Sequence, residues 1–384
     1  MDPALTVRID SIIDEARAEQ VASAFSVGVG RHGRLVHMRG YGRTHIGLDS
    51  YPVEERTLFD LASLTKVVAT TTAAMMLEEG GLLQLDRPVS FYLPELTDSA
   101  KAGITVRLLL VHMGGLEAGA PLHLQQRCTP EGCTGPHRGR DQYLEAINRR
   151  PVRQPPGISM IYSDWDMILL QLVLERISGQ PLDVFLAQRL FGPLGMRDTH
   201  FSPVPTHRSR VAATSVDPNR GGLIHGEVHD GNAWGMGGVA GHAGLFSTVA
   251  DLAVFAQMLL NGGTIDGVRV LRQETIARWT APQGPGSSRA IGWDTPSGRS
   301  SAGRYFSTRS FGHTGWTGTS LWIDPERSLF VILLSNRVNI PGDNQRHVPL
   351  RRSVADAVQA AILDAPLVDW EERRGGAAIF NFEF

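Results

Sequence analysis

Apolar and polar positions recur along this chain with two periods, and the period assigns the elements. Leu5, Ile9, Ile12, Ile13 and Ala16 fall at helical spacing between charged residues, which predicts an amphipathic first helix with one face on a core. Strand-like alternation follows from Phe25 to Arg31, stops at His32-Gly33-Arg34 and resumes in LVHMRGYG, the pattern of an antiparallel hairpin. Far downstream, TSLWIDPERSLFVILLSNR holds two β-rich runs on either side of Asp324-Pro325-Glu326-Arg327, a second hairpin. A stripe of Val354, Ala357, Val358, Ala361 and Ile362 then predicts a last helix. Helix and hairpin at the start, with hairpin and helix at the end, predict one sheet assembled from both termini.

The middle of the chain has the helical period. Helices are expected from Ser63 to Glu79 before Gly80-Gly81, from Val106 to His112 behind a Thr105 cap, and from Asp164 to Ser178 before Gly179. Leu182 to Leu190 and Ala250 to Asn261 complete the set. The fold class is therefore α/β in the α+β sense: an antiparallel sheet flanked by helices. Residues 1–80 and 235–384 are expected to form the sheet domain and residues 81–234 an inserted, mainly helical domain, with the active site in the cleft between them. Glu117 to Arg140 and Thr206 to Gly238 show little regular pattern, and loops this long tend to wall or cover a site. There is no internal repeat and no low-complexity tract.

Composition narrows the function classes. With 384 residues, 42% of them hydrophobic, the chain can bury a substantial core. A net charge of -2 provides no positive field for a phosphate backbone or an anionic membrane, so nucleic acid is not an expected partner. Lys66 and Lys101 are the two lysines among 37 basic residues, so each invites a question about its task. No basic and apolar leader opens the chain, and no run of about eighteen apolar residues interrupts it. The expectation is a soluble cytoplasmic protein, or a periplasmic or secreted one if a leader was removed. Cys128 and Cys133 lie in a Pro- and Gly-containing turn; they are too few for a disulfide scaffold, and their pairing is left open.

Three short segments carry candidate chemistry. FDLASLTKVVAT puts Ser63 at the mouth of a helix with Lys66 three residues on, so both side chains leave the same face of its first turn. A serine is a weak nucleophile until a neighbour takes its proton, and a lysine or a tyrosinate paired with a lysine can do so. An isolated S-x-x-K also fits a plain helix cap. Tyr162 stands just before the helix that Ser163 or Asp164 could cap, either facing a cleft or packing the helix entry. His313-Thr314-Gly315 leads into the terminal hairpin, where small residues allow a ligand close to the backbone or simply a tight turn. His225, Glu227 and His229 do not have the H-E-x-x-H spacing of zinc hydrolases, so no metal is expected. His242 is expected to satisfy backbone groups in a Gly-rich turn. The absence of a G-x-S-x-G elbow argues against an ordinary α/β-hydrolase, and with no P-loop or dinucleotide fingerprint no cofactor is expected.

Order and separation join these segments. Ser-x-x-Lys early, Tyr-x-Asp in the middle and His-Thr-Gly late resemble the ordered signature of the serine β-lactamase and penicillin-binding protein superfamily. Within it the chain is similar to the class C-like branch, which includes family VIII carboxylesterases and DD-carboxypeptidase-like penicillin-binding proteins. TLFDLASLTK, ITVRLLLVHMGGL, IYSDWDMILLQLVLERISG, PLGMRDTHF, GGVAGHAGLFSTVADLAVF and FGHTGWTGTSLWIDPERSLFVILLSNR carry the likeness from about Phe25 to Asn336. The resemblance implies a β-lactamase/transpeptidase-like fold, with Ser63 as acylated nucleophile, Lys66 as its proton acceptor and Tyr162 sharing acid and base duty. It implies an oxyanion hole from the backbone N–H groups of Ser63 and Trp316, and a substrate strand at His313, Thr314 and Gly315. His313 replaces the family's lysine, which weakens recognition of a carboxylate. Asp164 replaces the usual asparagine and could pair with Lys66, raising its pKa or holding it in place. His229, beside Asp230, is expected to line the acyl pocket. The expected function is a serine hydrolase that forms a covalent acyl-enzyme on a small-molecule ester or amide, foremost a carboxylesterase on small or medium acyl esters. DD-carboxypeptidase-like, weak β-lactamase and acyltransferase activities are the alternatives, and a non-turnover penicillin sensor is the alternative of another class.

Overall fold

The alternating runs at the two ends of the chain do pair into one antiparallel sheet. A computed structural model describes residues 1–129, 132–202, 205–283, 288–298, 300–342 and 345–373. Strands β1 (Ala24–Arg31) and β2 (Arg34–Gly42) form the first hairpin, and β3 (Phe311–Thr314), β4 (Ser320–Asp324) and β5 (Leu329–Ser335) return at the far end of the chain. The spatial order is β3-β4-β5-β1-β2, with Phe25 opposite Ser335 and Arg31 opposite Leu329 along the seam. At the first turn His32 and Gly33 have φ of 50° and 75°, the paired positive values whose twist matches that of the flanking strands.

A period of two sends neighbouring side chains to opposite faces of the sheet. Leu329, Val331 and Leu333 pack in the cluster that contains the helices Leu5–Ala18 and His347–Ala360. Phe330, Ile332 and Leu334 pack with the helix Val249–Leu260 on the other side. That helix comes close because residue 28 is glycine: a Cβ there would stand 2.3 Å from Val249 Cγ1. Each fully buried aliphatic side chain in these layers contributes about 1.5–3 kcal/mol.

The intervening residues are mostly helical, with Val89–Tyr92, Val106–Leu110, Gly139–Arg149, Asp164–Ser178 and Leu182–Leu186 among the helices. Asp164–Ser178 is buried without a break from Trp165 to Leu174, as expected of a helix packed on all sides. The single helix expected from Ser63 to Glu79 is instead a π-helical segment, Lys66–Thr71, followed by an α-helix, Thr72–Glu79. The Thr72 hydroxyl donates to the Val67 carbonyl at 2.9 Å inside this widened turn. The helix at Val106 ends at Leu110, and His112 turns the chain with φ of 56°. Gly139–Arg149 and Gln273–Thr280 are helices that the pattern did not show.

Both irregular stretches contain structure. The first holds a ribbon of Gln126–Thr129 and Gly132–Pro136 closed by a Cys128–Cys133 disulfide, which resolves the pairing. The second holds a short helix, Gly231–Gly235, capped by Asp230. A separate three-stranded strip is also present: Leu245–Ser247 pairs with Phe59–Asp60 on one side and with His200–Phe201 on the other. It fixes the chain three residues before Ser63. Among the described residues no helix is long and apolar enough to cross a membrane.

Candidate active site

Ser63 follows a strained turn. Ala62 has φ of 46°, in the left-handed region that costs a non-glycine residue roughly 1–2 kcal/mol. Asp60 Oδ1 accepts the Ala62 N–H at 2.8 Å and holds that turn. One turn on, the Lys66 ammonium donates to Ser63 Oγ at 2.9 Å, to Asp164 Oδ1 at 2.8 Å and to the His242 carbonyl at 3.2 Å. Lys66 is 1% exposed. Burial alone would discharge it, but the Asp164 carboxylate and then Tyr162 outweigh burial and hold its pKa above the usual lysine value. The pairing expected of Asp164 is thus present, and in this resting arrangement Lys66 is a donor to Ser63.

Tyr162 enters from the segment before the Asp164–Ser178 helix, whose first residues are tied down by Ser163 Oγ donating to the Glu117 carbonyl at 2.6 Å. Two cations flank its ring: Lys66 Nζ at 4.7 Å from the centroid and Arg289 Cζ at 5.3 Å. The His112 ring lies 4.6 Å away and accepts the Ser163 N–H at 3.3 Å. Behind it Asp166 is 1% exposed, with neither carboxyl oxygen hydrogen-bonded among the described residues. Burial pushes Asp166 well above the usual carboxylate range and His112 well below the usual imidazole range, and the two side chains approach to 3.6 Å.

At the strand end both nitrogens of His313 are spent inside the protein. Arg289 Nη1 lies 3.1 Å from Nε2, and Nδ1 lies 2.7 Å from the Thr314 carbonyl. A guanidinium can only donate and a carbonyl can only accept, so His313 carries its proton on Nδ1. Burial, Arg289 and Lys66 together hold its pKa well below the usual value. His313 therefore has no N–H directed at a ligand in this arrangement, and the permanent charge at this end of the site belongs to Arg289, 7% exposed. Asp294 lies 4.0 Å from Arg289, and burial raises its pKa. Sequence reasoning missed Arg289; an arginine in a non-periodic stretch 24 residues ahead of His313 gives no local signal.

Gly315 joins the strand to the turn before Ser63. A Cβ on it would meet the Leu61 carbonyl at 2.4 Å and Ala62 Cβ at 3.3 Å. Thr317 Oγ1 donates to the Asp60 carbonyl at 2.8 Å and Thr319 Oγ1 to the Leu61 carbonyl at 2.9 Å. Arg351 reaches the Gly315 carbonyl from behind at 2.6 Å. The N–H groups of Ser63 and Trp316 thus lie on two segments pinned together. Among the described residues neither is taken by another group. Trp316 is 39% exposed under the Arg337 guanidinium, 4.3 Å above its ring.

The remaining predicted residues divide. His229 lies by the turn before Ser63, donating its main-chain N–H to Asp60 Oδ2 at 2.6 Å, with Nδ1 3.2 Å from Ser215 Oγ. Burial lowers its imidazole pKa to about 4. His242 is not a cap for backbone groups: its Nε2 pairs with Asp230 Oδ1 at 2.8 Å. Asp164, Asp230 and His242 bring ligand atoms within 4.8 Å of one another. The Lys66 ammonium already lies 2.8 Å from that group's Asp164, so the cation there is the protein's own. His225 and Glu227 turn elsewhere, to the Val211 carbonyl and to Arg220.

Comparisons with known proteins give the family and the fold. The family described as Beta-lactamase matches residues 9–356. A protein of Escherichia coli (strain K12) described as "Putative D-alanyl-D-alanine carboxypeptidase" is 36% identical over 308 residues, covering 74% of this chain and 70% of its own length. Among solved structures, "EstCE1, a hydrolase with promiscuous acyltransferase activity" superposes with a TM-score of 0.72 at 22% identity, over 92% of this chain and 98% of that one. A penicillin-binding protein homologue from Caulobacter crescentus gives a TM-score of 0.72 at 18% identity, over 94% and 99%. A family match across most of the chain, carried by the fold these neighbours share, makes this protein a member of the beta-lactamase family, within the serine β-lactamase and penicillin-binding protein superfamily.

Proposed function

We propose that this protein is a serine acyl hydrolase of the carboxypeptidase type, cleaving an amide or ester whose leaving group carries a carboxylate. The observation that carries the substrate class is Arg289: a nearly buried guanidinium beside His313 and over Tyr162 returns a permanent cation to the end of the site where the lysine is missing. The 36% identical relative bears a carboxypeptidase description, which supports the same class.

In the proposed reaction Ser63 Oγ bonds to the substrate carbonyl carbon. Its proton passes to Lys66 as Lys66 hands one of its own to the phenolate of Tyr162, whose ring lies between Lys66 and Arg289. The N–H groups of Ser63 and Trp316 receive the oxyanion. The bond to the leaving group breaks as that group takes the proton from Tyr162, and water repeats the sequence to release the acid. Asp164 keeps the ammonium aimed between Ser63 and Tyr162.

A carboxylesterase acting on neutral esters is the second reading. It is favoured by His313, whose two nitrogens leave it no donor for a carboxylate. Paired substrates separate the two: an acyl ester of D-lactate against the methyl ester of the same acyl group. For the carboxypeptidase type, Arg289→Gln lowers kcat/KM on the carboxylate-bearing ester by about 100-fold and on the methyl ester by less than about threefold. Equal losses on both substrates would remove the carboxylate and leave the esterase reading.

A further inference from the structure

We infer that Asp60 is a positioning residue for the nucleophile: its carboxylate clamps the strained turn that presents Ser63 and ties that turn to the loop at His229. The inference rests on the reading of Ser63 as nucleophile. Asp60 is 3% exposed and ends the short strand Phe59–Asp60, so its backbone is fixed by the three-stranded strip. Its two carboxylate oxygens each accept one main-chain N–H, from Ala62 at 2.8 Å and from His229 at 2.6 Å. Its carbonyl accepts the Thr317 hydroxyl at 2.8 Å, beside the second expected oxyanion donor. One residue thus joins the nucleophile turn, the 215–230 loop and the turn after His-Thr-Gly.

The reason for a carboxylate lies in Ala62. Its φ of 46° is unfavourable for any residue with a Cβ, so the turn needs an outside force to persist. A carboxylate has acceptor capacity on both oxygens, whereas its protonated form turns one of them into a donor facing an N–H. The charged and titratable groups facing Asp60 are Asp230, Arg220 and His229 on the packed loop; the turn after His-Thr-Gly contributes the uncharged Thr317. Burial is the largest influence and raises the Asp60 pKa to about 6, against the lowering by the His229 and Ala62 N–H groups; Asp230 adds to the rise and Arg220 opposes it. The clamping form is the ionised one, so the clamp weakens as pH falls through that value.

Ala62→Gly tests the idea without disturbing the carboxylate, because glycine adopts the same backbone without strain. Hydrolysis of p-nitrophenyl butyrate is followed in a pH-stat. Wild type loses about tenfold in kcat/KM between pH 8 and pH 5, and Ala62→Gly loses less than about threefold. Asp60→Asn lowers kcat/KM at pH 8 by roughly 30-fold through kcat, with KM nearly unchanged and a flat profile over the same range, and Ala62→Gly in that background restores most of the loss. An identical ratio of activities at the two pH values in wild type and Ala62→Gly overturns the inference, whether or not Asp60→Asn folds. So does an Asp60→Asn enzyme with wild-type kcat/KM. Turnover surviving in Ser63→Ala would be a different failure, of the nucleophile assignment, and is measured separately.

Discussion

The two lysines of this chain sit in almost matched settings and do different work. Lys101 is 1% exposed; it donates to Asp98, to the Asn148 carbonyl at 3.0 Å and to the Arg150 carbonyl at 2.6 Å. These carbonyls close the C-terminus of the Gly139–Arg149 helix, where main-chain acceptors lack helical partners and a cation complements the dipole. Lys66 is equally buried and also has one carboxylate and one carbonyl, and the carboxylates are 29% exposed at Asp164 and 31% at Asp98. The third partner separates them: a main-chain carbonyl for Lys101, the Ser63 hydroxyl for Lys66. A buried, paired ammonium is by itself a structural device. In the proposed reaction it becomes chemical because one of its three donors meets a group that can lose a proton and a phenolate stands close enough to accept one.

Removing each ammonium should break the comparison in opposite directions. Lys66→Met is expected to lower kcat/KM by about 1000-fold, because the proton relay from Ser63 is gone. Lys101→Met should cost about 3 kcal/mol in chemical denaturation, since it strands Asp98 and two carbonyls, and should leave kcat of the folded enzyme within about twofold. A Lys101 variant that lost activity while keeping stability would erase the distinction. A smaller effect comes from Asp166, a buried carboxyl 3.6 Å from the His112 ring. Its folded pKa is raised, so the stability it contributes is present at low pH and is lost as pH rises above the unfolded value of about 4. Asp166→Asn should therefore raise Tm at neutral pH, with the gain shrinking toward about pH 4 in a series of thermal melts.

Much of this site was legible because its parts are local or ordered along the chain. Ser63 and Lys66 share one turn, and lysine scarcity marked Lys66. Tyr162 precedes a long apolar helix, and the two hairpins follow from alternation and turn chemistry. Other parts depend on contacts that no window of sequence contains. Arg289 acquires its place only when its loop packs against β3 and Tyr162. Asp60 is adjacent to the nucleophile, yet its task depends on the sign of φ at Ala62 and on a main-chain N–H 169 residues away. Asp166 reads as an ordinary acid in the first turn of a helix, and is buried because the His112 segment covers it. His313 was placed on the substrate strand, and residue type does not reveal that its neighbours already use both of its nitrogens.

The proposed reaction requires that Ser63 become acylated, which intact-mass measurement alongside turnover detects. Wild type and Ser63→Ala would each be mixed with a slowly released acyl ester and quenched within the first turnovers. The account predicts a mass gain equal to the acyl group on wild type, located in the peptide that contains Ser63, and no adduct with a loss of at least about 10,000-fold in turnover for Ser63→Ala. An adduct on another residue, or a Ser63→Ala protein that turns over as wild type does, would contradict it.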